Sequence, residues 1–410
     1  MKHIFSAADI LLPDFTQTDV QKWSVIACDQ FTGDPDDWEK TAAFVGDAPS
    51  TLALTLPEIY LGQADVTARI GAIHKNMRDY MRAGIFRTYE DAMIYTERIQ
   101  SNGILRTGVV GKIDLEAYDY TQGSHSPVRA TEATVLERIP PRMRVREQAP
   151  LELPHIMLLI DDPEDTVIGG CAADKGAMEQ LYDTQLMNGG GSIQGYLMDA
   201  AQQKAFTKRL DALLADAGEL QYAMGDGNHS LATAKACWEA IKQANPGRDL
   251  TDHPARYALV ELVNLHSEAL QFEAIHRIVT GVDPAALLHS LTRVLGLSEE
   301  PSAQEITVVL ADGAKRYYIH KPTSNLAVGS LQNALDAYFS ANPGSIDYIH
   351  GTATVERLAK ASDAVGFLLP DMDKRDLFPS VRADGALPRK TFSMGHAEDK
   401  RYYMEARAIR

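Results

Sequence analysis

The 410-residue sequence has few cysteines, no long apolar run and a shortage of positive charge. Its three cysteines, Cys28, Cys171 and Cys237, are an odd number, lie far apart and form no C-x-x-C pair, which indicates neither a disulfide framework nor a thiolate zinc site. No stretch approaches the ~18 uninterrupted apolar residues of a membrane-spanning helix, so no membrane partner is predicted. The surplus of 56 acidic over 40 basic residues gives a net charge of −16, which argues against nucleic acid as a partner.

The amino-terminal segment MKHIFSAADILLPDF lacks the features of a secretory signal. Asp9, Pro13 and Asp14 interrupt it before any apolar region of the usual length. We therefore expect a cytoplasmic protein. The remaining composition, with 45% hydrophobic and 23% charged residues, is typical of a globular chain, and the length predicts two or three packing units of roughly 150 residues each.

The periodicity of apolar residues predicts both helices and strands. Helical spacing predicts helices over 65–83 and 201–217. Runs such as ELPHIMLLIDDP and RYALVELVNL are typical of buried strands, and ITVVLADGAKRYYIHK is typical of a hairpin. We predict an α/β (α+β) fold in which a mixed-sheet core over 1–281 carries an α+β carboxy-terminal unit, 282–410, packed on it.

The segment MGDGNHSLATAKA, in which a strand-like run passes into a helical pattern, is the strongest candidate for a site. Gly225 and Gly227 let the backbone approach a ligand closely, and the free N–H groups at the start of the next helix favour an anion such as phosphate. Asp226 and His229 add a carboxylate and an imidazole that can orient a nucleophile, hold a metal or shuttle a proton. The alternative is an ordinary turn in which Asp226 satisfies loop amides and His229 is half-buried.

Five arginines in RATEATVLERIPPRMRVRE form a local cationic cluster in this acidic chain. They are Arg129, Arg138, Arg142, Arg144 and Arg146. Guanidinium groups bind phosphate or carboxylate through two parallel hydrogen bonds, so the cluster is a candidate anion pocket. Glu132 and Glu137 either neutralise these arginines on a solvated face, or one of them is the general base for a substrate hydroxyl. Pro140 and Pro141 indicate that no regular helix passes through.

Several common site motifs are missing. The chain has no P-loop, no protein-kinase signature set, no nucleophile elbow and no dinucleotide-binding fingerprint. Its 12 histidines include no H-x-x-x-H pair, so no dedicated metal site is predicted. A magnesium ion that bridges Asp226 and a bound phosphate requires no such motif.

The sequence resembles a known family in seven segments that occur in the same order. They are WSVIACDQFTGDPDDWE, RATEATVLERIPPR, MGDGNHSLATAKACWE, ARYALVELVNLH, FEAIHRIV, IDYIHGT and LPRKTFSMG. Together they look like the bacterial and archaeal family known only as domain of unknown function 1015, over nearly the whole chain. The family name implies no activity.

A second resemblance adds chemistry to the loop at 226–230. Its sequence Asp-Gly-Asn-His-Ser is similar to the Asp-Gly-His-His-Arg common in that family, and through it to ParB-like proteins, which include the nucleotide-binding ParB domain, sulfiredoxin and a free-serine kinase that uses ADP. The resemblance implies a ParB-like core whose loop and following helix terminus hold nucleotide phosphates. The loop departs from this pattern at Asn228 and Ser230, and the missing arginine removes a phosphate contact that Arg129 or Arg138 would have to supply.

These features lead to the hypothesis of a small-molecule phosphotransferase, kinase-like, that acts on serine or a related hydroxylated metabolite and uses ATP or ADP with Mg²⁺. The residues expected to bind phosphate are Gly225, Gly227, Asn228, Ser230, Arg129, Arg138 and Arg142. The expected catalytic residues are Glu132, as the base for the hydroxyl, and Asp226 and His229, which orient Mg²⁺ or the nucleophile. The alternatives are a non-catalytic nucleotide-sensing regulatory protein and a hydrolase of a phosphorylated metabolite.

Overall fold

A computed structural model describes residues 3–31, 35–121, 123–153, 155–395 and 397–410. The chain forms two compact units. The first unit consists of Met1–Ala130, Thr134–Leu270 and Gly395–Arg410, and the second consists of Thr131–Ala133 and Gln271–Met394.

The strands and helices are numbered along the chain. The strands are β1 (Phe5–Ser6), β2 (Ala8–Pro13), β3 (Phe86–Ala92), β4 (Ile94–Ile99), β5 (Leu105–Asp114), β6 (Val128–Arg129), β7 (Leu151–Glu152), β8 (Met157–Ile160), β9 (Glu179–Gln185), β10 (Ser192–Leu197), β11 (Tyr222–Asp226), β12 (Tyr257–Asn264), β13 (Phe272–Thr280), β14 (Gln304–Leu310), β15 (Gly313–Ile319), β16 (Ser345–His350), β17 (Ala364–Leu368), β18 (Phe392–Met394) and β19 (Arg407–Ala408). The helices are α1 (Val20–Trp23), α2 (Pro35–Val45), α3 (Val66–Arg82), α4 (Ile139–Arg146), α5 (Gly169–Ala172), α6 (Ala200–Leu214), α7 (Asn228–Ala244), α8 (Pro284–Leu295), α9 (Ala327–Phe339), α10 (Thr352–Leu358) and α11 (Leu377–Asp384).

The first unit is built on a mixed sheet in the order β6-β11-β8-β12-β5-β4-β10-β9, with β1 also paired to β5. Strand β12 runs parallel to β8 and antiparallel to β5, and β11 runs parallel to β6 and antiparallel to β8. Every residue of β12 is buried, as its continuous apolar sequence predicts for a central strand. The predicted α/β (α+β) fold with a mixed sheet is therefore confirmed.

The two helices predicted from apolar spacing are confirmed as α3 and α6. Helix α3 buries Ile70, Ile73 and Met77, which lie three to four residues apart on one face. The absence of a regular helix at Pro140 and Pro141 was predicted wrongly, since both prolines lie in the first turn of α4. Proline is compatible with that position because the first N–H groups of a helix have no intrahelical acceptor.

The second unit contains its own sheet in the order β15-β14-β17-β13-β16, with β18 also paired to β13. The predicted hairpin is confirmed as the antiparallel pair β14–β15. Helices α8 and α9 bury leucines into its core, among them Leu287, Leu291, Leu331 and Leu335.

The division between the units differs from the predicted boundary between residues 281 and 282. Strand β13 pairs with β16, β17 and β18 and so belongs to the second unit. The carboxy-terminal residues after Met394 return to the first unit, because Tyr402, Tyr403 and Met404 are buried in its hydrophobic core. In the part of the chain that the structure describes, no helix has both the length and the apolar character needed to cross a membrane.

Candidate functional site

The glycine-containing loop lies in the first unit, between the end of β11 and the start of α7. Gly227 precedes the helix with φ 79° and ψ 28°, a left-handed conformation that favours glycine. A Cβ atom at this position would lie 3.0 Å from the Cα of Ile156, so space and conformation both require glycine. Gly227, the N-cap residue, has no side chain with which to cap the amino terminus of α7. Its first turn therefore presents backbone N–H groups, with the positive end of the helix dipole, where the sequence predicts an anion.

The carboxylate of Asp226 holds the loop in this conformation. Its Oδ1 accepts the N–H of Gly227 at 2.9 Å, and its Oδ2 lies 3.5 Å from the Nζ of Lys400. The Oδ1 of Asn228 is buried and has no hydrogen-bond partner among the described residues. The loop thus offers a free oxygen acceptor beside an ion pair. Lys400 was not recognised from the sequence, because it lies in the carboxy-terminal segment that returns to this unit.

A second ion pair borders the first turn of α7. The Nε2 atom of His155 lies 3.4 Å from the Oδ2 of Asp29 and 3.3 Å from the Oγ of Ser230, which belongs to that first turn. The Nδ1 atom of His155 lies 2.9 Å from the hydroxyl of Tyr403, which also accepts the N–H of Cys28 at 3.1 Å. The predicted phosphate loop is therefore in direct contact with a carboxylate–imidazole pair.

The electrostatics of this pair favour its charged form. Burial lowers the pKa of His155, but the carboxylate of Asp29, followed by those of Asp226 and Glu58, outweighs burial and raises it above 6.5. Burial likewise opposes ionisation of Asp29, but the charge of His155 holds the pKa of Asp29 well below its usual range. Both shifts favour the charged forms, a carboxylate at Asp29 and an imidazolium at His155, over the neutral ones.

The Asp29–His155 pair is expected to stabilise the fold only within a window of pH. The lowered pKa of Asp29 gives a contribution that is present above its ordinary value of 3.8 and is lost in acid, and the raised pKa of His155 gives one that is present below 6.5 and is lost as the pH rises through the raised value. We expect Asp29→Asn to lower the free energy of unfolding by about 1–3 kcal/mol near pH 5.5 and by clearly less near pH 9. Urea unfolding of both proteins at the two pH values measures this difference, and an equal loss at both would contradict the charged pair.

His229 immediately precedes Ser230 in sequence, but its environment differs from that of His155. Its Nε2 atom accepts the N–H of Val135 at 3.4 Å. Burial, with the charges of Arg142 and then Arg138, lowers its pKa to about 4. His229 is therefore neutral at physiological pH and accepts a hydrogen bond that holds the arginine-rich segment, at Val135, beside the loop.

The predicted arginines have different positions within the first unit. Arg142 donates to the carboxylate of Glu58 and to the carbonyl of Arg138, and Arg138 itself is exposed. Arg129 lies on β6, which pairs with β11, but its guanidinium donates to the carbonyl of Ser126 and lies 3.4 Å from the carboxylate of Glu219. The structure thus brings Arg138 and Arg142 close to His229, while Arg129 is held by partners outside the loop.

Glu132 belongs to the second unit. Its Oε1 accepts the N–H of Thr391 at 3.1 Å. Burial raises the pKa of Glu132 in spite of this hydrogen bond and of the nearby charges of Lys390 and Arg277. Its carboxyl group therefore restrains the turn around Lys390, a residue whose φ of 59° lies in the left-handed region.

The loop provides oxygen atoms of the kind that magnesium binds. In the described ranges, no group of three or more His, Cys, Asp and Glu side chains is placed to hold a metal. Magnesium ions in nucleotide sites need only one or two protein oxygens, since phosphates and water supply the others. Such oxygens at the loop are the carboxylate of Asp226 and the buried Oδ1 of Asn228, which has no hydrogen-bond partner among the described residues.

Comparison with known proteins identifies the family of the chain. It belongs to the family described as "Protein of unknown function (DUF1015)", whose profile matches residues 13–338. No protein with a curated description matches it.

Several solved structures are similar to the chain at low identity. SbnI with a C-terminal truncation, from Staphylococcus aureus, is 10% identical, with a TM-score of 0.38 over 70% of this chain and 82% of that one. A conserved hypothetical protein from Pyrococcus furiosus is 10% identical, with a TM-score of 0.34 over 68% and 91%. A free serine kinase in complex with AMP is 11% identical, with a TM-score of 0.38 over 72% and 90%. Values this low carry no argument about what this chain binds.

Proposed function

We propose that the first unit binds a nucleotide at the 226–230 loop and transfers a phosphoryl group to the hydroxyl of a small metabolite. One observation carries this proposal. Ser230, in the uncapped first turn of α7, lies 3.3 Å from the imidazole of the Asp29–His155 pair. A helix terminus suited to phosphate thus adjoins a carboxylate–imidazole pair, and phosphoryl transfer needs a phosphate site beside a group that takes the hydroxyl proton.

Phosphate binding would use positive groups that are concentrated at the loop of an otherwise acidic chain. The first-turn N–H groups of α7, the imidazolium of His155 and the ammonium of Lys400 all lie at this loop. Arg138 is exposed, and its charge lies close enough to His229 to contribute to the lowered pKa of that imidazole. We therefore assign to Arg138 the neutralisation of the transferred group, and to Arg142 and Arg129 supporting roles, because both already have carboxylate partners.

The transfer step requires a group that accepts the proton of the hydroxyl. The oxygen of the acceptor forms a bond to the terminal phosphorus, the bond from that phosphorus to the bridging oxygen breaks, and the shortened nucleotide leaves. We assign the departing proton to the carboxylate of Asp29, because it is paired with the imidazole that contacts Ser230 at the loop. His155 holds that carboxylate in place and stabilises its charge.

Magnesium would be bound by Asp226 and Asn228 together with the phosphates. Its chemistry in such a site is to neutralise and orient the phosphate oxygens. His229, neutral with a pKa of about 4, is assigned to orientation of the loop rather than to proton transfer.

The sequence nominates Glu132 as the base, and the structure suggests a direct comparison with Asp29. The carboxylate of Glu132 already accepts a backbone N–H within the second unit, whereas Asp29 contacts the imidazole that adjoins the loop. We expect Glu132→Gln to keep a measurable rate of phosphoryl transfer and Asp29→Asn to lose it. Loss of transfer in Glu132→Gln, with transfer kept in Asp29→Asn, would instead identify Glu132 as the base.

Turnover with labelled ATP separates this function from its alternatives. The purified chain is incubated with Mg²⁺ and γ-phosphate-labelled ATP, with and without a mixture of hydroxylated metabolites. A phosphotransferase labels a metabolite only when the mixture is present, a hydrolase releases phosphate without it, and a nucleotide sensor does neither. Absence of labelled metabolite would contradict the proposal. Label transfer by His229→Ala at the same rate as by the natural sequence would contradict the role of the loop.

A further inference from the structure

A cavity of about 140 Å³ adjoins the candidate site within the first unit. Ser230 and His155 line it, so it opens onto the same two groups that connect the phosphate loop to the carboxylate–imidazole pair. Most of the remaining lining is apolar, and includes Leu54, Leu56, Leu61, Met77, Val145 and Leu153. The cavity is therefore placed to hold the molecule whose hydroxyl faces the transferred phosphoryl group.

The charged side chains in the lining already have partners. Arg142 pairs with the carboxylate of Glu58, and Arg146 lies 2.5 Å from the carboxylate of Glu152. The imidazole of His155 pairs with Asp29. Cys28 also lines the cavity, but burial raises the pKa of its thiol to about 12, so it stays protonated and uncharged. A charged group placed in the cavity would lose its hydration without gaining a counter-ion.

The volume sets the size of the group that fits. An apolar cavity of about 150 Å³ accommodates one benzene molecule. A group of about six carbon atoms therefore fills this cavity and covers its apolar lining, whereas a smaller polar group leaves the lining in contact with water.

We propose that the acceptor is a hydroxylated molecule with a neutral apolar arm of about six carbon atoms, which occupies this cavity while its hydroxyl lies near His155 and Ser230. This inference rests on the proposed phosphotransferase function and narrows its substrate class. Free serine does not fit the class, because its ammonium and carboxylate groups would both meet an apolar, charge-balanced lining.

Benzyl alcohol tests the cavity directly, since it combines a six-carbon ring with a hydroxymethyl group. Its binding to the full chain is measured by ligand-detected nuclear magnetic resonance, with serine as the comparison. Val145→Phe introduces a ring from α4, where Val145 lines the cavity, and Leu61→Phe does so from another segment of the lining. Leu136→Phe is the matched control, because Leu136 is 59% exposed and lies outside the lining.

We expect benzyl alcohol to bind the natural sequence and Leu136→Phe, and to bind at least one of the two cavity variants that folds at least about tenfold more weakly. ATP should bind all of these proteins with similar affinity. Serine binding more tightly than benzyl alcohol, no binding of benzyl alcohol, or equal binding to the folded cavity variants would overturn the inference while leaving ATP binding intact. Failure of the natural sequence to bind ATP would instead overturn the proposed function, and the inference with it.

Discussion

Replacement of Asp29 by asparagine is expected to lower kcat for phosphoryl transfer by about 10²–10⁴-fold, with a change of less than about tenfold in the affinity for ATP. The amide keeps the size of the side chain but cannot take the proton of the acceptor hydroxyl. It also removes the charge that raises the pKa of His155. The measurement is the initial rate of label transfer at saturating ATP, with folding checked by circular dichroism.

Asp37→Asn is the matched control for this variant. Asp37 lies in the first turn of α2, where its carboxylate is 3.5 Å from the Nζ of Lys40, and its replacement makes the same chemical change away from the loop. We expect its kcat to stay within about twofold of the natural value. A similar fall in both variants, or an unchanged kcat in Asp29→Asn, would show that Asp29 does not receive the proton.

Gly227→Ala is expected to weaken ATP binding by at least about tenfold and to destabilise the first unit by about 1–2 kcal/mol or more. The left-handed conformation at φ 79° is strained for alanine, and the new Cβ would press against the Cα of Ile156 at 3.0 Å. Relief of that contact moves the loop and the first-turn N–H groups of α7. Calorimetric titration with ATP and thermal unfolding measure the two effects.

Gly247→Ala separates loss of binding from loss of stability. Gly247 follows α7 and has the same φ of 79°, and a Cβ atom added there would meet none of the described residues within 4 Å. Gly247→Ala therefore places alanine in the same unfavourable left-handed conformation as Gly227→Ala, but without a steric contact like the one to Ile156. We expect its unfolding temperature to fall while ATP affinity stays unchanged, and a matching loss of affinity in both variants would contradict the special position of Gly227.

Local pattern was sufficient to predict several elements of the fold. The apolar run of β12, the helices α3 and α6 and the hairpin β14–β15 follow from side-chain period and turn residues, which act over a few neighbouring positions. The sequence did not specify whether the arginine segment meets the loop, and the hydrogen bond from Val135 to His229 depends on the tertiary fold. Likewise, the unit boundary depends on which sheet β13 joins, and its own sequence does not specify its partners.

The charged groups at the loop could not be predicted in the same way, because they come from distant parts of the chain. Asp29 lies between α1 and α2, His155 precedes β8, and Lys400 belongs to the carboxy-terminal residues that return to the first unit. Each has an ordinary local sequence, and only the tertiary fold gives it a partner. The cavity beside Ser230 is likewise formed by segments that are separated in sequence.

Calorimetric titration of the full chain with ATP and Mg²⁺ tests the central claim that the 226–230 loop is a nucleotide phosphate site. We predict saturable binding at one site per chain with a Kd between about 1 μM and 1 mM, competition by pyrophosphate, and loss of binding in Gly227→Ala but not in Gly247→Ala. An absence of saturable binding for ATP, ADP and pyrophosphate would contradict the account.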